Sequence, residues 1–172
     1  MSPILEAYTI LHVAISLVAI FAGIVVLCAM LAQRELGCWT KLFLITTVLT
    51  SVSGFFFPYH GFTPALGTGI ISIVALAIAI YARYPRKLAG AWRNVYVISA
   101  VFALYLNVFV LVVQLFMKVP WLKSLAPTQK EPPFQITQLV VLITFIVLGI
   151  FAVIRYRAVP PAGLSSAARS EG

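Results

Sequence analysis

Charged residues are missing from four long stretches of the chain. Between Glu6 and Arg34 lie 27 uncharged residues, between Lys41 and Arg83 lie 41, between Arg93 and Lys118 lie 24, and between Glu131 and Arg155 lie 23. Hydrocarbon tolerates few ionised side chains, and a helix needs about 20 apolar residues to cross roughly 30 Å of it. Three of the stretches therefore hold one crossing each. The longest would form a rod of about 60 Å, and it is broken by Pro58-Tyr59-His60-Gly61-Phe62-Thr63-Pro64, turn residues that end one helix and begin another. The pattern predicts five membrane spans, at about 8–32, 42–57, 65–82, 94–117 and 135–156, in one all-α integral membrane bundle. The second is short and carries Thr46, Thr47, Thr50, Ser51 and Ser53. Hydroxyls can bond back to the preceding turn, so they do not forbid a membrane helix. A re-entrant hairpin of spans two and three is the alternative.

Small and polar positions recur at helical spacing. Span three places Thr68, Ser72, Ala75, Ala79 and Ala82 on one face, and span one does the same with His12, Ser16, Ala19 and Gly23. Span two offers Thr46, Thr50, Ser53 and Gly54; span four offers Asn107, Gln114 and Lys118; span five opens with Gln135 and Gln138. In lipid, helices associate through close packing of small faces. These faces are expected to meet in an antiparallel bundle with Leu, Val, Ile and Phe turned to the acyl chains.

Composition agrees: 62% of residues are hydrophobic, only 9% are charged, and the mean hydropathy is +1.07. A soluble domain would carry about 25% charge, so a soluble enzyme, a disordered tail and a nucleic-acid-binding module are excluded. The net charge of +8 is mainly topogenic. Arg34, Lys41, Arg83, Arg86, Lys87, Arg93, Arg155, Arg157 and Arg169 fall on one side of a five-span chain, and Lys118, Lys123 and Lys130 on the other. The positive-inside bias then puts the N-terminus outside and the C-terminus in the cytoplasm. Trp39 and Trp92 fall at the expected inner boundary and Trp121 beyond the outer one, as amphipathic rings prefer. The first span has no basic flank and is too long for a cleaved signal, so it reads as an anchor. Cys28 and Cys38 lie toward the reducing side, and no disulfide is expected. In the loop 119–134, Val119, Trp121, Leu122 and Leu125 suggest a short interfacial helix with Lys123 on its wet side. After it, Pro127, Pro132 and Pro133 favour an extended path. The domain is expected to run over 1–157, with a flexible cytoplasmic tail at 158–172.

In this orientation both histidines and nearly every amide lie in the outer half, which suggests an outward-facing polar pocket. His12 and His60, at similar depth, are candidates for a metal site or for the two axial ligands of a haem, with Glu6 as a third metal ligand. Tyr105, Asn107, Gln114, Gln135 and Gln138 are candidates to hold a lipid, a quinone or a similar amphipathic molecule. The plain alternative for each histidine is a packing or headgroup-level residue, and for the amides, bonds to one another. A third reading is an accessory subunit whose small faces and Phe55–Phe57 dock another membrane protein or a second copy of the chain. Catalysis has little to draw on. Ser16 stands four residues from His12 with no third group to orient it, and no phosphate loop, paired carboxylate or mid-span acid is present.

In size and segment layout the chain resembles the small polytopic inner-membrane proteins of bacteria. The stretches TTVLTSVSGFFFP, ALYLNVFVLVVQ and APTQKEPPF are those with the look of family signatures. The likeness is architectural and implies a bacterial inner-membrane location. It transfers no functional residue.

Overall fold

The computed structural model describes residues 3–57 and 64–156. Among them 84% are helical and none lies in a strand. Six helices follow in order: α1 (Pro3–Leu31), α2 (Gly37–Gly54), α3 (Pro64–Arg83), α4 (Trp92–Lys118), the short α5 (Pro120–Leu125) and α6 (Pro132–Arg155). Four of these, α1, α3 from Leu66 onward, α4 and α6, are long and apolar enough to cross a membrane. The molecule is thus an all-α bundle of membrane type. The α2 helix is shorter, at 18 residues, and more polar, with its run of hydroxyls and Lys41. It begins five residues before the expected span, and α1 likewise begins at Pro3 rather than at residue 8.

Successive long helices run antiparallel, as their cross-contacts show. Along α1 and α2, Tyr8 and His12 stand against Ser53 while Phe21 meets Trp39. Along α2 and α3, Ser51 meets Ser72 and Glu35, just before α2, meets Arg83. Along α4 and α6, Tyr96 meets Tyr156, Tyr105 meets Phe145 and Phe116 meets Phe134. The central helix is α4, which packs on α1, α3 and α6. The two ends of the bundle differ. One gathers Arg34, Glu35, Arg83 and Arg155 and is called the basic end; the other holds His12, Ser53 and the α5 connection.

The outside is greasy, while small and hydroxylated residues share the interior with large apolar ones such as Phe43, Leu76 and Leu104. Thr47 is 0% exposed whereas Ile143 is 52% exposed. The stripe on α3 is buried at Ser72, Ala75, Ala79 and Ala82, and α1 buries Ala19 and Gly23. At Gly23 a methyl group would stand 2.5 Å from Leu104 Cδ1 and 2.8 Å from the Phe43 ring. The absent side chain is what lets α1, α2 and α4 converge. The outermost helix is α6, with Ala152 as its one fully buried residue.

The connections close off the helix ends. Arg34 N donates to Ala29 O and Gln33 N to Met30 O, a six-to-one closure that holds Gln33 at φ 57°. Between α3 and α4, Leu88 takes φ 57° and buries its side chain in the core. The helix expected after residue 119 is present as α5. The extended path expected through Pro132 and Pro133 is not, because both prolines sit in the first turn of α6. There the missing N–H would be unpaired anyway, and the fixed φ suits a helix.

Candidate functional site

At the end away from the basic residues, α1 places Tyr8 and His12 one turn apart against the last turn of α2. The Tyr8 hydroxyl donates to Ser53 O at 2.6 Å, and His12 Nδ1 lies 2.8 Å from Ser53 Oγ. The Ser53 hydroxyl donates its hydrogen to Thr50 O at 3.1 Å. Donation by the imidazole through Nδ1 is the arrangement that satisfies both Ser53 contacts at once, and it would leave a lone pair on Nε2. Phe57 packs edge-on against His12, with ring centres 5.1 Å apart, and lies 5.0 Å from the Tyr8 ring. Ser16, the neighbour suggested by spacing, gives its hydroxyl to His12 O and does not touch the ring. The Thr50 carbonyl, 3.1 Å away, competes with the imidazole for the Ser53 hydroxyl hydrogen. His60 lies outside the described residues. Among the described residues no group of three or more His, Cys, Asp or Glu could hold a metal ion.

The remaining candidates do not converge on one cavity among the described residues. Asn107 Nδ2 makes a long contact of 3.4 Å to Thr47 Oγ1, which ties α4 to α2. Gln138 Nε2 donates to Phe109 O at 3.2 Å, while its Oε1 is buried without a partner. Gln135 Nε2 donates to Lys130 O at 2.8 Å, near the start of its own helix, and Gln114 is exposed on α4. Tyr105 belongs to a ring cluster with Phe102, Phe109 and Phe145 on the α4–α6 seam. Of the three phenylalanines Phe55–Phe57, Phe55 lies over Gly69, Phe57 over His12, and Phe56 is exposed.

The basic end carries the described ion pair. Arg83 Nη2 donates to Glu35 Oε1 at 2.7 Å, and its guanidinium carbon stands 5.3 Å from the centre of the Tyr96 ring. The Arg83 side chain is only 11% exposed. Beside the pair is a cavity of about 10 Å³ lined in part by Glu35, Thr40, Tyr96 and Tyr156, room for about one water. The fully buried Tyr96 hydroxyl and Arg83 Nη1 complete no hydrogen bond with the protein.

A larger open space lies between α2 and α3. A groove of about 260 Å³ is lined by Leu44, Ile45, Val48 and Leu49 of α2 and Ile80 of α3, with Lys41 and Tyr84 at its basic end. Ile45 and Leu49 are exposed, so the groove opens sideways, where lipid would lie. Its walls on α2 recur at helical spacing, beside the face that carries the hydroxyls. Nothing in the spacing marks this stripe as the one left uncovered by its neighbour. Comparison with protein-family models, with curated proteins and with solved structures found no match for the chain.

Proposed function

We propose that the chain is a five-span protein of a bacterial inner membrane, N-terminus outside, that holds an amphipathic molecule of the bilayer without transforming it. One observation carries this reading: among the described residues an apolar groove of about 260 Å³ opens sideways, while most of the polar candidates are bonded to protein atoms. A fifth span is supported by the course of α2, which runs beside α1 from Trp39 to Ser53. At the usual rise its 18 residues reach about 27 Å, close to a hydrocarbon core. The orientation rests on the gathering of arginines at one end.

The test is purification in mild detergent followed by solvent extraction and mass spectrometry. A lipid or quinone is expected at near one per chain, and it should be lost when Val48→Trp fills the groove. A preparation free of such a molecule that arrives with a stoichiometric protein partner overturns this reading in favour of an accessory subunit. One observation favours a haem or metal reading: Ser53 Oγ holds the His12 ring at Nδ1 and leaves Nε2 without that contact, a placement of the kind that orients ligating imidazoles. A Soret band or bound metal that disappears in His12→Ala would establish it.

A further inference from the structure

The groove between α2 and α3 is apolar along its length and basic at one end. Lys41, Ile45 and Leu49 follow at four-residue intervals, with Leu44 and Val48 beside them, so the lined stretch of α2 is about 12 Å long. That is most of the roughly 15 Å of hydrocarbon in one leaflet. Lys41 lies on the first turns of α2, and Tyr84 follows the last residue of α3, so both reach headgroup depth. The charge there is uncompensated. The acids of the whole chain are Glu6, Glu35, Glu131 and Glu171. Among the described ones only Glu35 stands at this end, and Arg83 occupies it. Lys41 has no ion pair among the described residues, and Arg34, Arg86 and Arg93 add further positive charge at the same end.

Resting on the lipid-binding reading above, we infer that the groove seats one acyl chain of an anionic phospholipid from the leaflet at the basic end. Lys41 pairs with the headgroup phosphate, and the Tyr84 hydroxyl donates to it. The volume suits part of one chain. It falls below the roughly 300–1,000 Å³ of pockets that enclose a whole drug-sized ligand, so the second chain stays in the bilayer. Selectivity then comes from the headgroup. One lysine near the surface favours an anionic lipid by about fivefold, and salt weakens this because the ammonium is exposed.

The full chain in phosphatidylcholine vesicles, with trace spin-labelled phosphatidylglycerol or phosphatidylcholine, separates the alternatives. The motionally restricted fraction is expected to favour phosphatidylglycerol about fivefold at low salt. Lys41→Gln should bring the ratio within about twofold of unity while lipid is still held. Lys123→Gln, at the opposite end, should leave the ratio unchanged. Val48→Trp should release both lipids. Leu49→Trp, at an exposed position of the same stripe, tests this again should the first variant fail to fold. A wild-type chain without preference, or a preference untouched by Lys41→Gln, overturns the anionic assignment. If those results come with release by the tryptophan variants, lipid binding itself stands. If neither tryptophan variant displaces lipid, both readings fall.

Discussion

Gly23 shows how much a single position can decide in this bundle. A methyl group there would stand 2.5 Å from Leu104 Cδ1 and 2.8 Å from the Phe43 ring, both buried side chains, so either they shift or α1 moves away from α2 and α4. Gly23→Ala is expected to destabilise the protein by about 1–3 kcal/mol, the usual cost of overpacking a closed core. Thermal unfolding of the two purified proteins in one detergent checks this, and an unchanged midpoint would mean the Leu104 and Phe43 side chains can retreat. The contact was legible in advance: Gly23 sits on a small-residue stripe with His12, Ser16 and Ala19. The partner of His12 was not. Ser53 and Thr50 share a polar face of α2, but which of them meets the imidazole depends on the axial register of two helices. Spacing within one helix carries no information about that.

Among the elements, the connection from α5 to α6 is the one whose order depends on a titratable group. Glu131 precedes α6 and gathers Thr128 N, the Thr128 hydroxyl and Lys130 N on its carboxylate. Desolvation is the largest single influence and raises its pKa, but the Thr128 hydroxyl and the N–H groups of Glu131, Thr128 and Lys130 together outweigh it and hold the carboxyl below its ordinary value. A depressed native pKa means the contribution is complete above the ordinary carboxylate range and is lost as the pH falls through the lower native value. Amide exchange at Thr128 and Lys130 should accelerate on acidification across that range, after correction for intrinsic rates. In Glu131→Gln the same amides should exchange faster at neutral pH and show no such transition. The short helix α5 was visible in its apolar spacing. The helical start at Pro132 was obscured because paired prolines signal extended chain and first helical turn alike.

For the molecule as a whole, the number of crossings is the property on which the depth of every other group depends. A reporter active only outside the cytoplasm should light when inserted at Ser124 or fused to the N-terminus. A cytoplasmic reporter should light at Gly90 and at the C-terminus. Matching signals from both termini would remove the fifth span and the assignment of leaflets. Charge-free stretches made the helices readable because solvation cost acts residue by residue. Which helices touch, and where a seam stays open as between Val48 and Ile80, depends on side chains fitting across the bundle, and only coordinates reveal it. One architectural detail bears on how the chain is made. Apart from Ala152 and Tyr156, every buried residue of the main core lies before residue 119. By the time the ribosome has released α4, nearly all the interior has been synthesised. Of the described helices α6 is synthesised last, and it closes the α4 side of that core with Phe145, Leu148, Ala152 and Val153.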